Sequence, residues 1–194
     1  MTGRVAPPAP RSLGPDREGG WVRHWRHPQW LASADDWVGE QLAVHGMVPT
    51  GPGVTYKIRF WSVVRCYPTD TGLVWFKENN PGQAFEASLV AALADLVPDL
   101  VVRPLSFRAD TGWLLSTDQG TTLGDSSGIT DQATRLRLVD ELARFQRICA
   151  EHERTVHAAG ITTADRRTPA VWSATGWVGC GRCPPLTRCA PTAS

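Results

Sequence analysis

The sequence predicts an α+β fold built on an antiparallel sheet. Two observations carry this. Short β-branched and aromatic runs recur around a central helical segment, and two of them flank a tight turn signal. The segments with a 3.6-residue apolar period lie before, between and after these runs, which gives the order helix, three strands, helix, two strands, hinge, helix. With 194 residues, 42% apolar and 20% charged, the chain can bury a core of one domain or slightly more.

Residues 1–20 are rich in Pro, Gly and Arg and read as a disordered leader. Residues 21–32 are rich in Trp, Arg and His, and their indoles are expected to pack on the lobe formed by later residues. Ser33 suits an N-cap, with Asp36 three residues on, for a helix whose Trp37, Val38 and Leu42 share a face and which stops at Gly46. Val54–Arg59 and Trp61–Tyr67 read as strands. Pro68–Gly72 is turn material, and Leu73–Lys77 returns as the second arm of a hairpin. Asn80, Pro81 and Gln83 resemble a cap, a first helical position and a capping box for a helix over Gln83–Leu96. Val101–Phe107 and Trp113–Thr117 are two further strands, and 118–128 is a polar hinge. A long helix starts at Thr130 or Asp131 and runs to about Ala158, with Leu138, Leu142, Phe145 and Cys149 on one face. Its mixed Arg, Asp and Glu residues describe a solvated opposite face.

Twenty basic against nineteen acidic residues leave a net charge of +1, without the basic excess of a nucleic-acid binder. No run of 18 apolar residues is present, and the N-terminus lacks the apolar core of a secretory signal. Five cysteines, three of them clustered late, do not form a disulfide framework. A cytoplasmic protein with no nucleic-acid or membrane partner fits these features.

The chain holds 18 Arg but only two Lys, Lys57 and Lys77. Lys77 ends a buried-looking strand, and Glu86 comes nine residues later on the next helix. Glu86, Val90, Leu93 and Val97 share one helical stripe, so the carboxylate points where the apolar side chains point. A lone carboxylate there is costly, and a paired ammonium offsets that cost. A compact ammonium on a flexible stem can also bridge a carboxylate and a phosphate.

The string VWFKENNPGQAFEASLVAALADLVP, followed by VVRPL, GWLLSTDQGTTLGD and LARFQR, resembles the aminoglycoside phosphotransferase family over roughly residues 35–160. The resemblance implies the N-terminal lobe of a protein-kinase-like fold over residues 33–118: an antiparallel sheet with one helix that carries the glutamate partner of the strand lysine. Residues 119–165 would be the hinge and the first helix of the C-terminal lobe. It further implies that Lys77 contacts the phosphates of ATP and that Glu86 orients it. Backbone groups of Thr117, Asp118 and Gln119 would hold the adenine edge, and Ser62, at the phosphate-covering turn, would bond a phosphate. Magnesium and a small hydroxylated substrate are the other ligands expected of the full-length family.

The same resemblance demands a catalytic aspartate in a His-Gly-Asp-type segment and a later Asp-x-Asp-type segment. Neither is present: His152 and His157 are not followed by such an Asp, and no Asp or Glu occurs after Asp165. No catalytic or metal-binding residue can therefore be assigned. Residues 166–194 have no helical or strand period and read as an out-of-frame or otherwise aberrant end. Their Cys180 and Cys183, with Cys189, fall short of a four-ligand zinc site. Three readings stay open: a phosphotransferase lineage with little or no activity in this chain alone, a non-catalytic nucleotide-binding or scaffold fragment, and a non-functional truncated product.

Overall fold

The computed structural model describes residues 6–8, 20–124 and 131–161. The expected leader, apart from 6–8 and Gly20, the hinge beyond Gly124 and the cysteine-bearing tail lie outside the described residues.

A proline opens the main N-terminal helix. Helix α1 spans Gly20–Arg26 and α2 spans Pro28–Val44, with Pro28 in the first turn and His27 Nδ1 accepting from the Gln29 N–H at 3.3 Å. Proline has no N–H to lose there and presets the helical φ, so the helix begins before Ser33. Ser33 is no cap: it lies inside α2 and returns its hydroxyl to the Gln29 carbonyl at 3.0 Å. The predicted face is correct, because Trp37, Val38 and Leu42 are buried, and past the last helical residue, Val44, the chain turns away at Gly46 with φ +67°.

Strands β1 (Val54–Ile58), β2 (Ser62–Thr69) and β3 (Gly72–Asn79) are sequential antiparallel neighbours. Asp70 and Thr71 form the two-residue loop between β2 and β3. After α3, strands β4 (Ser106–Arg108) and β5 (Trp113–Thr117) complete a five-stranded sheet in the order β1-β2-β3-β5-β4. The strand expected over Val101–Phe107 is mostly absent. The amides of Leu100 and Val101 turn back to the Val97 carbonyl, and Pro104 has no N–H for a ladder.

Helix α3 spans Glu86–Leu96, later than the expected start at Gln83. A 3-10 turn over Pro81–Gln83 precedes it, and Asn80 makes no side-chain cap. Tertiary packing sets this local form. Gly112, in the β4–β5 turn with φ +71°, comes so close to Ala84 that a Cβ would lie 2.9 Å from its backbone. Helix α4 (Gln132–Glu151) starts where predicted, with the Asp131 carboxylate accepting from Thr134 N at 2.8 Å. It is not continuous to Ala158. His152 leaves helical geometry and turns its ring to the Ile148 carbonyl, and α5 (Glu153–Ala158) resumes. Leu138 and Leu142 on α4 stand exposed, while Phe145 and Cys149 are half-buried.

The core lies between α1–α2 and one face of the sheet. Val22, Trp25, Trp30, Trp37, Val38 and Leu42 meet Ile58, Val63, Val74, Phe76, Trp113 and Leu115. Trp37 packs edge-on against both Phe76 and Trp113. The expected packing role of the N-terminal indoles is thus met, from residue 22 onward. Within this apolar layer sits one carboxylate, Glu78, only 6% exposed. Its Oε2 accepts from Trp30 Nε1 at 2.8 Å and Trp113 Nε1 at 2.7 Å. Trp25 Nε1 is also buried near this group without completing a hydrogen bond of normal geometry. A second buried polar set ties β2 to α2: Arg65, 4% exposed, donates to Asp35 at 2.7 Å and to Tyr67 at 2.8 Å, and Tyr67 donates to Asp35 at 2.7 Å.

Removing Phe76, a ring at the centre of this layer, is expected to cost about 3–5 kcal/mol in urea unfolding of Phe76→Ala. Desolvation raises the pKa of Glu78 above its ordinary 4.5, and the indole donors only partly oppose this. The folded state therefore holds this proton more tightly than the unfolded chain. The associated stability is complete below pH 4.5 and is lost as pH rises through the raised value. Glu78→Gln keeps an acceptor for both indoles and removes the charge. Its melting temperature, relative to the unaltered chain, is expected to climb with pH across that window, and a constant difference would refute the assignment.

Candidate functional site

Because successive side chains on β3 alternate between faces, the residues that enter the core are Val74, Phe76 and Glu78, and those that face away are Trp75, Lys77 and Asn79. The register brings Val64 and Leu114 beside Lys77, Ser62 beside Asn79, and Cys66 and Ser116 beside Trp75. On this second face Ser62, Cys66, Asn79 and Leu114 are buried, and α3 presents its first residue, Glu86, to it.

The Lys77 ammonium and the Glu86 carboxylate meet here. Nζ lies 2.6 Å from Oε1 and 2.8 Å from Oε2, and each side chain is about one-third exposed, 34% and 33%. Glu86 is the first residue of α3, so the 3-10 turn over Pro81–Gln83 sets the helix start that presents its carboxylate to β3. Asn79 Nδ2 donates to Glu86 Oε2 and, at 3.2 Å, to the Gln83 carbonyl. Sequence reasoning missed Asn79. The signal was its position two residues beyond Lys77 on the same strand, hence on the same face.

Ser62 opens β2 directly opposite Asn79 and is 5% exposed. The turn before it, where the Asn80 N–H donates to the Trp61 carbonyl at 2.8 Å, exposes the edge-to-face pair Phe60 and Trp61. The structure therefore gathers Ser62, Lys77 and Glu86 at one end of the sheet. Thr117, Asp118 and Gln119 lie further along. Val74 pairs with Thr117, which places the latter three residues down β3 from Lys77, roughly 10 Å at strand spacing. The Asp118 N–H is given to the Leu73 carbonyl at 3.0 Å, and its carboxylate accepts from Trp75 Nε1 at 2.8 Å. Gln119 Nε2 turns back to Thr117 Oγ1 at 2.9 Å. The Trp75 indole, edge-on to Tyr56, spans the gap between the two groups.

Burial first, and then the Asp118 carboxylate, push the Cys66 thiol up to about 11, so it is a neutral packing group. A hollow of about 660 Å3 lies between α2, α3 and β4, against Gln41, Ser88, Asp95 and Arg103. A smaller one of about 360 Å3 lies against Met47, Leu73, Thr117 and Asp118. Neither is lined by Lys77 or Glu86. Among the described residues, no group of three or more His, Cys, Asp or Glu could hold a metal ion, and no helix is long and apolar enough to cross a membrane.

An ion pair one-third exposed contributes little to folding because solvent screens it and two side chains must be ordered. Lys77→Ala and Glu86→Gln are expected to change the unfolding free energy by no more than about 1 kcal/mol. A much larger loss in urea denaturation would mean that the pair is a structural tie and not a grip for a ligand. Comparison with known protein families, with characterised proteins and with solved structures finds no match to this chain.

Proposed function

We propose that this chain is a nucleotide-binding lobe of the phosphotransferase type, in which Lys77 holds the phosphates of ATP and Glu86 orients it. One observation carries the reading: a lysine and a glutamate from a strand and the helix after it, bonded at 2.6 and 2.8 Å, on the sheet face that α1–α2 leaves uncovered. An ammonium has three N–H groups. Two are directed at Glu86, and among the described residues the third has no partner, so an anion can be added without breaking the pair.

The order of elements supports the same reading. A hairpin precedes the lysine, one helix carries the glutamate, and two strands return the chain to the end of β5. Along this face Trp75 offers a half-buried ring between Lys77 and Thr117, a surface on which a purine can stack. The Asp118 N–H is already used within the sheet, so an adenine edge would draw on other backbone groups of Thr117 and Gln119. Magnesium would bring charge neutralisation to the phosphates, and the described residues offer it no ligand cluster of their own.

Phosphoryl transfer needs a base and metal-holding carboxylates. The sequence has neither a His-Gly-Asp-type nor an Asp-x-Asp-type segment. That favours binding without transfer for the residues present, and the acceptor implied by the resemblance, a small hydroxylated compound, would be phosphorylated only with the missing groups supplied.

Titration with Mg-ATP in a thermal-shift assay tests this. Saturating nucleotide is expected to raise the melting temperature by roughly 5–10 °C, and Lys77→Ala to abolish the rise. No shift at millimolar ATP sinks the reading. Hydrolysis or transfer by the purified chain is expected to stay at background, and measurable turnover would show that a catalytic group has been overlooked.

A further inference from the structure

The geometry points to Asn79 as a positioning residue for Lys77: its amide fixes the Glu86 carboxylate so that the ammonium presents one N–H outward. This deepens, and rests on, the phosphate-binding reading of the pair.

Asn79 is 4% exposed and on the same face of β3 as Lys77. Its amide orientation is determined by its surroundings. Nδ2 donates to both the Gln83 carbonyl and Glu86 Oε2. The reversed amide would set its oxygen against a carbonyl and a carboxylate, three acceptors with no proton between them. The Asn79 oxygen is left buried without a partner. A buried acceptor beside a carboxylate carries a desolvation cost, and the bonds of the donor end at Glu86 and Gln83 are what offset it.

The consequence is local. A terminal carboxylate torsion is soft, so Lys77 alone cannot fix how Glu86 is turned. Asn79 donates to Oε2 only, whereas the ammonium bonds both oxygens. Rotation of the carboxylate breaks the hydrogen bond from the Asn79 amide, so the ion pair is locked by a second residue of the same strand. The donor is neutral, so it steadies Glu86 without competing with Lys77 for its charge. A lysine or arginine at this position would take the carboxylate for itself. The ordinary alternative is that Asn79 merely ties the Pro81–Gln83 turn through the Gln83 carbonyl, 3.2 Å away.

Amine reactivity separates the two. The chain has only Lys57 and Lys77, so trace acetylation with an N-hydroxysuccinimide ester, read by mass spectrometry, gives a Lys77:Lys57 ratio with its own internal reference. In Asn79→Leu the ratio is expected to rise about tenfold or more, the effect of losing one charge-assisted hydrogen bond on the group that restrains the amine. Asn79→Ser, too short to reach Glu86, serves if the leucine variant does not fold, and is expected to do the same. Glu86→Gln should raise the ratio at least as far, and Asn80→Ala should leave it unchanged. A turn tie would lower the melting temperature and leave the ratio where it was. An unchanged ratio in folded Asn79 variants overturns the proposal. Inorganic tripolyphosphate should protect Lys77 in the unaltered chain. Absence of protection, with the Asn79 effect intact, overturns the phosphate reading and upholds the positioning role.

Discussion

The structure depends on the covering of one face of the sheet, and only one, by α1 and α2. Strand alternation forces a choice at β3: if Phe76 is in the core, Lys77 is not. The helices make that choice by burying Trp25, Trp30 and Trp37 against Phe76, Trp113 and Leu115. Glu78 sharpens it. A carboxylate in an apolar layer is tolerated only where donors meet it, and the two indole N–H groups come from α2 over the sheet and from β5 beside β3. A one-residue slip of β3 would bury Lys77 and expose Phe76, so the indole–carboxylate contact also fixes the register that orients the site.

The face opposite α1–α2 works by a different balance. Full burial would strengthen the attraction between Lys77 and Glu86 but would seal the ammonium from any ligand. Full exposure would let the side chains wander. At one-third exposure the pair keeps short contacts and an open side, and the restraint is supplied by neighbours on the backbone rather than by low dielectric. Asn79 from the strand and the 3-10 turn before α3 are those neighbours. The late start of α3 therefore belongs to the site: a helix from Gln83 would have presented Glu86 from its second turn.

The edge of the described structure shows a third balance. Helix α4 has a well-made N-cap at Asp131 and an ion pair from Arg144 to Asp99, yet Leu136, Leu138, Val139 and Leu142 remain exposed. Capping and local charge thus form the helix, while its apolar stripe is not satisfied by the sheet lobe.

The sequence by itself determined the order of elements, the β2–β3 hairpin, the Trp37–Val38–Leu42 face, the Asp131 start and the spacing that lets Lys77 meet Glu86. Each is written in local chemistry: turn residues, caps and periods of two or 3.6. Only the tertiary structure decided which sheet face the tryptophans cover, that Glu78 is the buried carboxylate while its neighbour Lys77 is accessible, and that Asn79 grips Glu86. It also removed the expected strand before Ser106 and moved the starts of α2 and α3. These depend on partners distant in sequence: Trp30 is 48 residues from Glu78, and the β4–β5 turn presses on Ala84. Local propensity has no term for such contacts, so the pattern of the chain could place Lys77 opposite a helix but not say what would hold it there.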